Sequence, residues 1–102
     1  MANVAECDSL EMVRGQIDCI DRQMLALLAE RGAYVKQAAR FKSNTAEIPA
    51  PQRVEQVIAK VTGFARELGA DPVVAEATWR AMIASFIRSE LAEHASLHPP
   101  ST

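Results

Sequence analysis

Apolar residues recur at positions 10, 13, 17, 20, 24, 27/28, 35 and 38, the alternation of threes and fours that marks one face of a helix. No proline falls between Leu10 and Lys42, so the spacing predicts a single long helix over that span, with Asp8 or Ser9 as its cap. Gly15 and Gly32 each weaken it by about 1 kcal/mol relative to Ala without breaking the pattern. The segment Ser43 to Pro51 (SNTAEIPAP) is the interior stretch densest in turn formers and reads as a loop, with Ser43 to Ala50 expected to close over a ligand as a lid. Pro51 suits the first position of a second helix, expected from about Gln52 to Leu68 with Val54, Val57, Ile58, Val61, Ala65 and Leu68 on one side. Gly69 stops it. Asp71-Pro72 then supplies a cap and a first-turn proline for a third helix through about His94, with Val73, Val74, Ala77, Ile83, Phe86, Ile87 and Leu91 as its apolar members. The division is an N-terminal extension over 1–8, a helical domain over 9–94 and a disordered tail over 95–102.

The fold class is therefore all-α, with one long and two shorter helices. The long one, at about 33 residues and 1.5 Å each, spans roughly 50 Å, while a compact 100-residue domain has a radius of gyration of about 13 Å. Its apolar stripe needs cover that one short chain does not supply, and an intertwined helical homodimer provides it. An extended coiled-coil hairpin is the alternative that the same spacing permits.

Composition narrows the function. Eleven Lys and Arg stand against thirteen Asp and Glu, a net charge of -2, so no cationic surplus is available for a nucleic-acid backbone. No run of about 18 apolar residues and no secretory leader pattern is present, and the default expectation is a soluble cytoplasmic protein without membrane or nucleic-acid partners. Cys7 and Cys19 form no CxxC or Cys/His spacing and are expected to be free thiols, with no metal bound. No Ser/His/Asp or Cys/His set and no glycine-rich phosphate loop can be assembled, which disfavours nucleophilic and metal mechanisms.

Cations break the apolar stripe. At 100° per residue, Arg31 and Lys42 fall in the middle of the sector occupied by Val13, Ile17, Ile20, Met24, Leu27, Leu28, Val35 and Ala38, and Arg14 lies at its edge. A guanidinium on a helical core face requires an acid or an anionic ligand; Arg31 could pair with an internal acid such as Glu90 or snorkel from a rim. Arg31 and Lys42, about 16 Å apart along the helix, can converge on a small dianion, whereas Arg14 lies about 25 Å from Arg31 and can join them only across a dimer. Arg53 opens the second helix, where cation and helix terminus both favour anions. Glu90, one heptad after Ile83, turns a carboxyl group toward the core. Such a set suits dicarboxylate binding, or a reaction catalysed by positioning and electrostatic stabilisation.

The segments Val13-Arg14-Gly15-Gln16-Ile17-Asp18-Cys19-Ile20-Asp21, Leu25-Ala26-Leu27-Leu28-Ala29-Glu30-Arg31, Lys42 and Ile48-Pro49-Ala50-Pro51-Gln52-Arg53 together resemble the all-helical AroQ class of chorismate mutases over about residues 10–92. The resemblance implies intertwined dimers of three-helix chains, each site receiving an arginine of the first helix from the other chain. By carry-over, Arg14 across the dimer and Arg31 hold the substrate's two carboxylates, Lys42 donates to the ether oxygen of the breaking C–O bond, and Arg53 lines the mouth. Glu90 occupies a second ether-oxygen donor position, usually Gln. Val35, Ala38, Ile48, Val57, Ile83 and Ile87 form apolar walls. The implied reaction is pericyclic and cofactor-free. Chorismate mutases usually carry, at the positions of Ala50 and Val54, an Asp and a Glu that contacts the ring hydroxyl. The segment here is more similar to the isochorismate-pyruvate lyase branch, whose members convert isochorismate to salicylate and pyruvate; a hydroxyl moved from C4 to C2 has no use for that Glu. The expectation is a lyase with possible mutase activity, against a dedicated chorismate mutase and, in a different class, a non-catalytic dicarboxylate-binding or coiled-coil module.

Overall fold

A computed structural model describes residues 4–41 and 51–97. Three helices follow in order, α1 (Leu10–Ala39), α2 (Pro51–Leu68) and α3 (Pro72–Leu97), and among the described residues there is no strand. The chain divides into two units, Met1–Tyr34 and Val35–Thr102.

The ends of the helices have identifiable causes. Ser9 is the cap of α1: its Oγ accepts a hydrogen bond from the Met12 amide at 3.1 Å, satisfying one of the orphan donors of the first turn. α1 was expected to reach Lys42 but ends at Ala39, where the Arg40 and Phe41 amides bond to the carbonyls of Gln37 and Ala38 and wind the chain into a tighter turn. α2 opens on Pro51, whose missing N–H costs nothing in a first turn. At its other end Gly69 adopts φ 77°, a left-handed conformation that a side chain resists. The Ala70 amide then reaches back to the Ala65 carbonyl at 2.8 Å and the Gly69 amide to that of Arg66 at 3.4 Å, the paired bonds of a Schellman stop. Asp71 caps α3 through Oδ1, which accepts from the Val73 amide at 2.9 Å. α3 continues to Leu97, so residues 95–97, expected to belong to a disordered tail, are helical.

In the first unit every residue from Asp8 to Glu30 is exposed, including the apolar stripe Leu10, Val13, Ile17, Ile20, Met24, Leu27 and Leu28. In the second, α2 and α3 pack as an antiparallel hairpin joined by residues 69–71. Its buried apolar residues are Ile58 and Ala65 on α2 and Ile83 on α3; Ala39 at the end of α1 is also buried. No described helix is long and apolar enough to cross a membrane.

Candidate active site

On α3 the positions Ile83, Ile87 and Glu90 follow one another at four and three residues, so all three lie on one face of the helix. Ile83 is buried and Ile87 half-buried. Glu90 is only 8% exposed, the one charged side chain among the described residues to be buried. Its register alone dictates this: the face that carries Ile83 inward carries Glu90 with it. A carboxyl group so enclosed is kept by the energetics only with hydrogen-bond or ionic partners, and Glu90 does engage in such interactions.

Across the hairpin, α2 contributes Val57, half-buried, and Arg53, exposed in the first turn. Val54 is half-buried, one turn before Ile58 on the same side of α2. Val35 and Ala38 stand near the C-terminal end of α1, the first half-buried and the second exposed. Of the expected site residues, the second unit holds Val35 and Ala38 on the end of α1, Arg53 and Val57 on α2, and Ile83, Ile87 and Glu90 on α3; the packing seen is that of α2 on α3. Lys42 and Ile48 lie outside the described residues, as does the lid expected over 43–50.

The first unit holds Arg14, exposed, and Arg31, half-buried and engaged in interactions of its own. Both project from α1, seventeen residues apart, which is about 25 Å along a helix axis. No single small molecule touches both from one helix.

One cluster escaped the sequence reading. Arg80 on α3 grips Glu55 of α2 with both ends of its guanidinium, Nη1 to Oε2 and Nη2 to Oε1, each at 3.0 Å. Its Nε donates to Oε2 of Glu76 at 2.8 Å, one turn earlier on α3. The hydrogen bond from Arg80 holds the Glu55 carboxyl below the usual carboxylate range, against an opposing desolvation and with the charge of Arg80 adding to it. The Glu76–Arg80 spacing of four was visible in the sequence. The Glu55–Arg80 pairing depends on the register of the hairpin, which no local pattern encodes. Elsewhere, Cys7 and Cys19 are free thiols. Among the described residues no group of three or more His, Cys, Asp or Glu is placed to hold a metal ion.

The chain is 34% identical over 91 residues to an isochorismate pyruvate lyase of Pseudomonas aeruginosa, an alignment that covers 89% of this chain and 90% of that protein. The sequence profile of chorismate mutase type II matches residues 13–91, which takes in Arg14, Arg31, Lys42, Arg53 and Glu90. A match of that extent, on a chain of three helices with a buried acid on the third, places this protein in the chorismate mutase type II family.

Proposed function

We propose that this chain is an isochorismate-pyruvate lyase with accompanying chorismate mutase activity, working without a cofactor as an intertwined homodimer. The observation that carries the choice of substrate is Val54. It is half-buried in the first turn of α2, at the position where the resemblance puts the hydroxyl-binding Glu of chorismate mutases. A branched apolar side chain there offers no acceptor to a C4 hydroxyl and suits a ring whose hydroxyl is at C2. The extended likeness to a lyase supports the same reading.

In this account Arg31 and Arg14 of the partner subunit hold the two substrate carboxylates, Arg53 guides the dianion at the mouth, and Lys42 donates to the ether oxygen as the C–O bond breaks. A pericyclic rearrangement needs no nucleophile, so the work of the protein is to fix a reactive conformer and to meet charge developing on the ether oxygen. Glu90 serves as the second donor to that oxygen and does so only when protonated, because a carboxylate accepts but cannot donate. The dimer is supported by α1: seven apolar stripe residues stand exposed on a helix that has no cover in its own unit, and helices in proteins draw most of their stability from packing such a face.

Purified protein supplied separately with isochorismate and chorismate tests the reading. The expected result is equimolar salicylate and pyruvate from isochorismate, with slower formation of prephenate from chorismate. Prephenate without salicylate would assign the chain to the mutases.

A further inference from the structure

The bonds of Arg80 to Glu55 and Glu76 involve none of the site residues above, yet they grip α2 within two residues of Arg53. Viewed down α2 at 100° per residue, Val54, Ile58, Val61 and Ala65 mark the direction that faces α3. Arg53 leaves the helix about 110° to one side of that direction and Glu55 about 90° to the other. Apolar contact along such a stripe is non-directional, so by itself it fixes the roll of the first turns of α2 poorly. A two-point guanidinium–carboxylate pair is directional. Glu76 occupies the Nε side of the same guanidinium at 2.8 Å, holding its plane so that the Nη edge meets Glu55.

We propose that Arg80 is a positioning residue: by clamping Glu55 on one rim of α2 it sets the roll of the first turns and so the direction in which Arg53, on the opposite rim, meets the incoming dicarboxylate. This rests on the reading of Arg53 as a substrate-binding residue. Arg80 and Glu55 are both exposed, so substitutions there leave the core of the hairpin intact.

The test is steady-state kinetics with isochorismate on the wild type, Arg80→Gln, Arg80→Lys, Arg53→Ala and the double variant Arg53→Ala/Arg80→Gln. Arg80→Gln should raise KM about threefold to tenfold with kcat changed less than about twofold, and Lys, a point charge without the fork, should restore KM only in part. In the Arg53→Ala background Arg80→Gln should add nothing, since the residue through which it acts is gone. The same KM increase with and without Arg53, or a KM unmoved by Arg80→Gln while Arg53→Ala raises it, overturns the proposal. A KM that ignores Arg53→Ala contradicts instead the reading of Arg53 on which it rests. Hydrogen exchange, which needs no turnover, gives a separate check: amides 55–57, the first with acceptors inside α2, should exchange faster in Arg80→Gln, and unchanged protection there counts against the clamp.

Discussion

A carboxyl group beside an ether oxygen has two states with opposite uses, one that donates a hydrogen bond and one that repels. Glu90, buried on the core face of α3, has the donor's role in the proposed reaction. Glu90→Gln, a permanent donor of similar shape, should keep kcat/KM within about tenfold of the wild type, while Glu90→Ala, which removes the donor, should lower it at least about 100-fold. A Glu90→Ala variant as active as the wild type contradicts the role given to Glu90. Arg31→Ala should lower kcat/KM at least about 100-fold, because in the proposed reaction its charge meets a substrate carboxylate in a site shielded from water; a variant within tenfold of the wild type would contradict the role given to Arg31. The burial of Glu90 was legible in the sequence, since 83, 87 and 90 share a face whatever packs on it. The partnership of Glu55 with Arg80 was not, because residues 25 apart meet only once the turn at 69–71 has set the register of the hairpin.

For the helices, the sequence was most informative where a residue type has one physical use. Ser9 and Asp71 cap, Pro51 and Pro72 open, and Gly69 closes, each where its chemistry demanded. The expected ends at Lys42 and His94 were wrong by a few residues in opposite directions, since α1 stops at Ala39 and α3 runs on to Leu97. A last turn is decided by which carbonyl each amide selects, and that choice leaves little trace in apolar spacing. Two glycines make contrasting predictions, both measurable by urea denaturation. Gly69→Ala should destabilise the protein by about 1–2 kcal/mol because φ is 77° there. Gly63→Ala, in mid-helix with open space around the added methyl, should stabilise it by up to about 1 kcal/mol. The hairpin also carries a pH signature. Glu55 is pulled below its ordinary range on folding, so the bridge contributes fully above that range and is lost as pH falls through the lowered value. The difference in melting temperature between wild type and Arg80→Gln should therefore shrink in acid, and a difference that grows would refute the assignment.

At the level of the whole molecule, the first unit poses the question that the second does not. Seven apolar side chains along α1 are exposed to water, and covering each would contribute roughly 1–2 kcal/mol. The sequence showed this through helix length alone, before any site residue was considered. The spacing of Arg14 and Arg31 makes the same demand from the side of chemistry, since about 25 Å separates two groups assigned to one small dianion. Ile20→Glu, in the middle of the stripe, should shift the protein toward monomer in sedimentation equilibrium and abolish turnover together. That each site is built from two chains is the claim on which the rest depends, and mixed subunits test it most directly. Arg14→Ala and Arg31→Ala proteins, each inactive, are unfolded together and refolded in equal amounts before assay with isochorismate. Half of the dimers are then mixed and each has one intact site, so activity should recover to about a quarter of the wild-type value. Activity that stays at the level of the separate variants would contradict a site shared between subunits.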